Sequence, residues 1–350
     1  MSLDLSHKGL TTLQGIDFHY NLQELNVSSN RLKSLQYCPN SLKKLVCNYN
    51  KLKSLQYCPK NLQILYCDYN KLKSLQYCPE SLQVLYCGDN KLISLQYCPE
   101  SLQELICSHN KLTSLQYCSK NLKELICSHN KLISLQYCHN DLQKLDCSYN
   151  KLTSLEHCPS SLQKLYCHEN NITSLQYCSV NLKFLYCRLN KLTSLQYCPK
   201  NLRILRCDFN LLTSLQYCPE NLEEFNCEYN KITSLRYCPN NLRILRCDFN
   251  LLTSLRYCPN NLQKLFCSGN PLLPEYLNKN LDEVKSINIK LFQRGLQIVN
   301  SLMYNHNQKA RIIQRCWERY WYQPNDQGIS RQALQGIQMM EQDGISIIDT

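Results

Sequence analysis

The sequence predicts a solenoid in which short parallel β-strands are stacked one above another. A 20-residue pattern, L-x-x-L-x-C-x-x-N-x-L-x-S-L-x-Y-C-P, recurs in constant register from Leu22 to Asn270. Within one unit, Leu105 and Cys107 are two residues apart, so on a strand both side chains point to the same side. One unit cannot enclose all of its leucines, whereas stacked units cover each other's apolar surfaces.

Each unit is predicted to place one strand on the concave side of the solenoid and an irregular, extended segment on the convex side. Thirteen strands follow, from Leu25–Val27 to Leu265–Cys267, and Leu3–Leu5 gives a degenerate fourteenth. We divide the chain into a degenerate N-terminal repeat or cap at 1–21, an array of about 13 repeats at 22–273, a helical C-terminal cap at 274–322, and a loosely structured tail at 323–350.

An asparagine occupies the same place in all thirteen units, at 30, 50 and every 20 residues to 270. A polar residue repeated at a bend must have its hydrogen bonds satisfied. We expect each side-chain amide to bond the backbone of its own turn and of the next repeat. This structural ladder includes Asn50, Asn70, Asn90, Asn110, Asn130 and Asn150.

The chain has 25 cysteines, in two columns of twelve that start at Cys38 and Cys47, with Cys316 outside them. Disulfides, zinc sites and small buried apolar side chains are three interpretations of the columns. No C-x-x-C pair occurs, which argues against zinc. The N-terminal MSLDLSHKGLTTLQG lacks the features of a signal peptide, so we expect a cytoplasmic protein with reduced, buried thiols.

The formal net charge is +12, and many of the cations follow the repeated asparagine. This basic ridge comprises Arg31, Lys51, Lys71, Lys91, Lys111, Lys131, Lys151, Lys191 and Lys231. An acidic partner or nucleic acid would fit it, but a solvated edge that keeps the array soluble is the favoured interpretation. We predict no nucleic-acid binding, because no motif for it occurs and aromatic residues do not interleave with the ridge.

Positions that vary between units lie on the outward face of the strands and would line the concave side. Their aromatic and arginine content is typical of buried interface cores, which predicts a protein-binding face. The alternative is that strands favour aromatic and β-branched residues whatever their use. The predicted binding residues are Tyr66, Tyr86, Ile106, Ile126, Tyr166, Tyr186, Arg206, Arg246 and Phe266. A separate tyrosine column, which starts at Tyr37 and Tyr57, is expected to form a packing ladder on the convex side.

No catalytic motif stands outside the repeat, so we expect no enzymatic activity. His109 and His129 are one repeat apart and could bind a metal. They lie in two nearly identical units, however, and duplication explains the pairing better. We therefore predict no metal site and no cofactor.

After Pro271 and Pro274 the pattern becomes helical, with Leu277, Leu281, Val284, Ile287 and Leu291 at spacings of three or four. Such a helix would cap the last repeat. No run of 18 apolar residues occurs, so we predict no membrane-spanning segment.

A basic amphipathic helix is predicted at 309–322, where a recognition surface would include Ile313, Gln314, Trp317 and Trp321. Ile313-Gln314 opens like an IQ motif, but Glu318-Arg319 replaces the usual Arg-Gly. This departure argues against a calmodulin-like partner.

The unit L-x-S-L-Q-Y-C-P-x-x-L-x-x-L-x-C-x-x-N resembles the short bacterial-type leucine-rich repeat of secreted effector proteins. The array together with the ARIIQRCWERYW segment is similar to leucine-rich-repeat proteins encoded by giant viruses of amoebae. These resemblances imply a non-enzymatic scaffold whose concave face binds a protein, in a viral setting a host protein. A substrate-binding adaptor for ubiquitin transfer through the C-terminal tail and a structural protein with no dedicated ligand are the alternatives.

Overall fold

The structure, a computed structural model, describes residues 1–305 of the chain. In that part, fourteen strands of three residues each precede one long helix. The strands are β1 Ser2–Asp4, β2 Glu24–Asn26, β3 Lys44–Val46, β4 Ile64–Tyr66, β5 Val84–Tyr86, β6 Glu104–Ile106, β7 Glu124–Ile126, β8 Lys144–Asp146, β9 Lys164–Tyr166, β10 Phe184–Tyr186, β11 Ile204–Arg206, β12 Glu224–Asn226, β13 Ile244–Arg246 and β14 Lys264–Phe266, and the helix is α1 Leu281–Asn305.

The described chain forms two compact units. The first comprises Met1–Leu192 and Tyr197–Asn210, and the second comprises Thr193–Gln196 and the chain from Leu211 onward. In each unit, strands of successive repeats pair in parallel with equivalent residues opposite each other, as Leu105 is with Leu125. The predicted solenoid is confirmed. Each strand begins one residue earlier than predicted, so its central residue is the leucine of the repeat, or Phe225 in β12.

Leucines from every repeat form the core of the array. In the repeat at 101–120, five side chains are completely buried: Leu102, Leu105, Cys107, Leu112 and Leu115. Burying one leucine stabilises a fold by about 1.5–3 kcal/mol. Because these positions recur every 20 residues, stacking supplies each repeat with the apolar contacts that it cannot make alone.

The repeated asparagines are buried and hydrogen-bonded to the backbone. Nδ2 of Asn110 donates to the carbonyls of Cys107 and Ser108 in its own turn, each at 3.1 Å, and to that of Cys87 in the preceding repeat at 3.0 Å. We expected a bond to the next repeat, and this expectation is wrong, because the bond goes to the preceding repeat. A carbonyl oxygen has two lone pairs, so the Cys87 carbonyl accepts from both Asn90 and Asn110.

The cysteines of the Cys47 column are completely buried from Cys47 to Cys247, and the described cysteines are free thiols. Burial raises the pKa of the Cys107 thiol well above its usual value. In the Cys38 column, burial raises the pKa of Cys138 to about 12. These side chains therefore lie in the core as neutral, small apolar groups.

In each repeat from Ser29–Tyr37 to Phe209–Tyr217, two turns use left-handed backbone, for example at His109 (φ 53°) and Tyr117 (φ 68°). The Ser114 hydroxyl accepts the backbone N–H of Gln116 at 3.0 Å and so supports the second turn. The tyrosines from Tyr37 to Tyr217 in this column are 43–57% exposed. About half of the surface of each of these residues is therefore open to solvent, and the expected packing ladder stays a prediction.

In the second unit, α1 lies against the turns of the last repeats. Asn280 and Glu283 exchange backbone-to-side-chain hydrogen bonds of 2.9 Å, a capping box that starts the helix at Leu281. Leu277, expected in the helix, instead lies in the turn that follows Pro274 and is 53% exposed. Val284 is completely buried, and Lys285 Nζ donates to the Leu262 carbonyl at 2.9 Å.

Candidate protein-binding face

Two side chains of each strand point away from the core, on either side of the buried central residue. We call the surface formed by the first and third strand residues the strand face. From β3 to β10 both of these side chains are half-buried. The structure places seven predicted binding residues on the strand face of the first unit: Tyr66, Tyr86, Ile106, Ile126, Tyr166, Tyr186 and Arg206.

Two pairs of stacked tyrosines dominate this surface. The ring centroids of Tyr66 and Tyr86 are 4.4 Å apart with 17° between the ring planes. Those of Tyr166 and Tyr186 are 4.5 Å apart with 14° between the planes. Because the residues of each pair are strand partners in register, the sheet itself brings the rings into contact.

Polar partners fix the orientation of the first pair. The Tyr86 hydroxyl donates to Oε1 of Glu104 at 2.5 Å. Burial, followed by this bond and the charge of Glu104, raises the pKa of the Tyr86 phenol. Lys44 Nζ lies 5.9 Å from the centroid of the Tyr66 ring, within the range of a cation–π contact.

Cationic side chains lie over the aromatic rings at the other pair. The guanidinium of Arg206 is 5.4 Å from the Tyr186 ring centroid, and Lys164 Nζ is 5.1 Å from that of Phe184. These contacts leave the strand face both aromatic and positively charged at β9 to β11.

Aliphatic and acidic residues lie between the tyrosine pairs. Ile106 and Ile126 are strand partners, and so are Glu104 and Glu124. Lys144 Nζ contacts Glu124 Oε1 at 2.6 Å, and this bond with Glu124 raises the pKa of Lys144. Glu104, Glu124 and Lys144 belong to the second column of variable strand positions, beside the tyrosine column, which the sequence also assigns to the outward face.

A second aromatic row lies in the turns that follow the strands. Ring centroids are 4.2 Å apart for Tyr49 and Tyr69, 4.0 Å for His109 and His129, and 3.9 Å for His129 and Tyr149. The two histidine rings stack with 13° between their planes. Within residues 1–305, no group of three or more His, Cys, Asp or Glu side chains could hold a metal ion.

Two predicted binding residues belong to the second unit. The Arg246 guanidinium lies 4.2 Å from the ring centroid of Phe266, and its Nη1 is 4.0 Å from Oε1 of Glu228. Phe266 is 36% exposed. The predicted tail residues Ile313, Gln314, Trp317 and Trp321 lie outside the described residues, as does Cys316.

No helix in the part of the chain that the structure describes is long and apolar enough to cross a membrane. No protein-family model matches the sequence, and a comparison with curated proteins gave no match.

Solved structures do match. YopM from Yersinia enterocolitica is 31% identical over 79% of this chain and 72% of its own chain, with a TM-score of 0.60. YopM from Yersinia pestis, described as a leucine-rich effector protein, is 28% identical over 80% of this chain and 82% of its own, with a TM-score of 0.66.

The chain belongs to the leucine-rich-repeat proteins. A third leucine-rich-repeat structure is the functional domain of InlJ from Listeria monocytogenes, which is described as including a cysteine ladder. It is 27% identical over 70% of this chain and 61% of its own, with a TM-score of 0.56. The stacked-repeat architecture of this chain is therefore shared with other leucine-rich-repeat proteins.

Proposed function

We propose that this leucine-rich-repeat protein is a non-enzymatic scaffold that binds a protein partner through the strand face of its first unit. The observation that carries the proposal is the pair of tyrosine stacks, Tyr66–Tyr86 and Tyr166–Tyr186, on half-buried positions of that face. Core positions repeat with little change from unit to unit, whereas these positions vary. A surface that varies over a constant framework is suited to recognition.

The stacked rings are favourable anchors for a partner because they are held in place before binding. A tyrosine has few rotatable bonds, so immobilising it costs little conformational entropy. The Glu104 bond to Tyr86 and the Arg206 contact with Tyr186 restrict the rings further. Tyrosine and arginine are also the residues most enriched among those that dominate binding energy at protein interfaces.

The partner that we propose is a protein of a host cell, encountered in the cytoplasm. This extension is supported by the similarity of the repeat and the ARIIQRCWERYW segment to viral proteins, and by the description of Yersinia pestis YopM as an effector. Buried free cysteines are consistent with a reducing compartment.

The test is affinity capture from a host-cell lysate with three full-length variants, followed by binding measurements with the purified captured protein. The first variant changes Tyr66, Tyr86, Tyr166 and Tyr186 to serine. The matched control also introduces four serines, but in the tyrosine column that starts at Tyr37, which we call the turn column. The changed residues are Tyr57, Tyr77, Tyr177 and Tyr197, which are 54–57% exposed. The third variant changes Trp317 and Trp321 to alanine and tests recruitment through the tail.

We expect the wild type and the turn-column control to bind one partner with equal affinity, and the strand-face variant to lose at least about tenfold, since truncating an interface hot spot costs at least about 2 kcal/mol. If the strand-face variant bound the partner as tightly as the wild type, the strand face would be excluded as the binding site. Loss of ubiquitin-ligase subunits only in the tryptophan variant would instead favour the adaptor function.

A further inference from the structure

A small cavity of about 90 Å³ lies in the second unit, between α1 and the turns of two repeats. One wall comes from the turns at 236–240 and 256–260, and the other from residues 288–292 of α1. Drug-sized ligands need pockets of about 300–1,000 Å³, so a cavity of this size suits a small ion.

The repeat pattern changes at this cavity. The position before the turn-column tyrosine is glutamine in nine repeats, from Gln36 to Gln216, and glutamate at Glu156. It is arginine only at Arg236 and Arg256, and both of these arginines line the cavity. The substitution therefore coincides with the place where the array meets the helix.

The wall of the cavity formed by α1 is held rigidly. Asn288 Nδ2 donates to the Leu255 carbonyl at 2.9 Å, and its Oδ1 accepts the Tyr276 hydroxyl at 3.0 Å. Tyr276 is only 1% exposed. On the opposite wall, the Arg236 guanidinium lies 5.4 Å from the centroid of the Tyr237 ring. These contacts preorganise the cavity without a ligand.

The electrostatic character of the cavity is positive. Among the described residues that line the cavity, two carry a formal charge, and both are positive: Arg236 and Arg256. The charge of Lys285 also reaches the lining, where it opposes the effect of burial on Cys258, whose pKa is raised to about 12. Each guanidinium has five N–H donors, so an arginine can keep its contacts within the chain and still bind an oxyanion.

We propose that this cavity binds a small oxyanion, with inorganic phosphate as the ligand that its size and two guanidinium groups fit. Guanidinium forks match phosphate oxygens in a bidentate geometry. Asn240 and Asn260 also line the cavity, and each carries a carboxamide with two N–H donors and no charge. The bound anion would connect two repeats to α1 and so hold the helix on the array.

The test is isothermal titration calorimetry, in which phosphate is titrated into the full chain. A second titration replaces phosphate with chloride at equal ionic strength. The variant Arg236→Gln/Arg256→Gln restores the glutamine that nine other repeats carry at this position, so we expect it to be compatible with the fold. The control is Arg203→Gln/Arg243→Gln, which removes the same charge at two exposed positions where other repeats also have glutamine.

We expect saturable binding of one phosphate by the wild type and the control, and a loss of at least about tenfold in affinity in the cavity variant, since each guanidinium supplies charge-assisted hydrogen bonds. Absence of saturable binding by the wild type would overturn the proposal. So would unchanged affinity in the cavity variant, or an equal loss in the control, which would indicate non-specific attraction.

Discussion

The side-chain oxygen of Asn110 accepts the backbone N–H of Leu92, 18 residues earlier in the chain, at 2.9 Å. The same side chain donates to the Cys87 carbonyl through Nδ2. One buried amide therefore joins two repeats at two backbone sites. This bond pattern recurs in the array, for example at Asn250, which donates to the carbonyls of Cys227 and Cys247.

We expect Asn110→Ala to lower the free energy of unfolding by about 3 kcal/mol or more, because it leaves buried backbone groups without partners at about 1–3 kcal/mol each. Urea denaturation followed by circular dichroism measures the loss. Asn40→Ala is the control, since Asn40 is exposed, and it should shift the midpoint little. Equal stability of both variants would mean that solvent replaces the ladder without cost.

We predict that thiol reactivity follows burial rather than the number of cysteines. Cys107 is completely buried and burial raises its pKa, so at pH 8 it offers very little thiolate. Cys267, in the last repeat, is only partly buried and should react before Cys107. Timed alkylation of the folded chain, read by peptide mass spectrometry, checks this order. Labelling of both cysteines at one rate in the folded chain would contradict it.

The sequence predicts the strands and the core well because both depend on a short, exact period. Leu105 and Cys107 are assigned to the core by alternation alone, and the structure buries both. The direction of the Asn110 bond could not be predicted, because either neighbouring repeat offers carbonyl groups. The start of α1 was also missed, since the apolar spacing continues back to Leu277 whereas the capping box begins at Asn280.

The strand face is predictable as a set of positions but not as a set of contacts. Tyr66 and Tyr86 hold the same place in consecutive repeats, so the sequence already puts them side by side. The bond from Tyr86 to Glu104, in contrast, depends on side-chain rotamers in a third repeat. The cavity beneath α1 required the structure as well. The change from glutamine to Arg236 and Arg256 is visible in the sequence, but not the helix that meets them.

The stacked histidines should make the first unit sensitive to acid. Burial, and then the nearby His109, lower the pKa of His129, while Asp146 and Glu169 oppose this effect and His168 adds to it. A histidine whose folded pKa lies below its unfolded value contributes stability above the unfolded pKa. That stability is lost as the pH falls through the folded pKa.

His129→Tyr places in this row the residue found at the next repeat, Tyr149, and removes the titrating group. We therefore expect the wild type to lose more thermal stability than this variant between pH 7.5 and pH 5, as measured by melting temperature. The paired variant His109→Tyr should also reduce the loss, because it removes one repulsive charge. Identical pH profiles for wild type and His129→Tyr would show that the stacked ring ionises freely.

Asp68 should give the opposite pH dependence. Its Oδ1 accepts the backbone N–H of Gly88 at 2.7 Å, yet burial, with a contribution from Asp89, raises its pKa from 3.8 to about 6. For an acid with a raised folded pKa, the favourable contribution is complete below pH 3.8 and is lost as the pH rises through 6. At neutral pH and above, the folded chain holds a partly buried charge at a cost.

Asp68→Asn keeps an acceptor for Gly88 and removes the charge. We expect it to raise the free energy of unfolding by about 1–2 kcal/mol at pH 8, after allowance for the partial exposure of the carboxylate, and by almost nothing at pH 4. Urea denaturation at the two pH values measures both differences. Asp68→Ala, which loses the acceptor as well, should gain less at pH 8 and be less stable than the wild type at pH 4. A gain for Asp68→Asn that is equal at both pH values would contradict the ionisation of Asp68 as its cause.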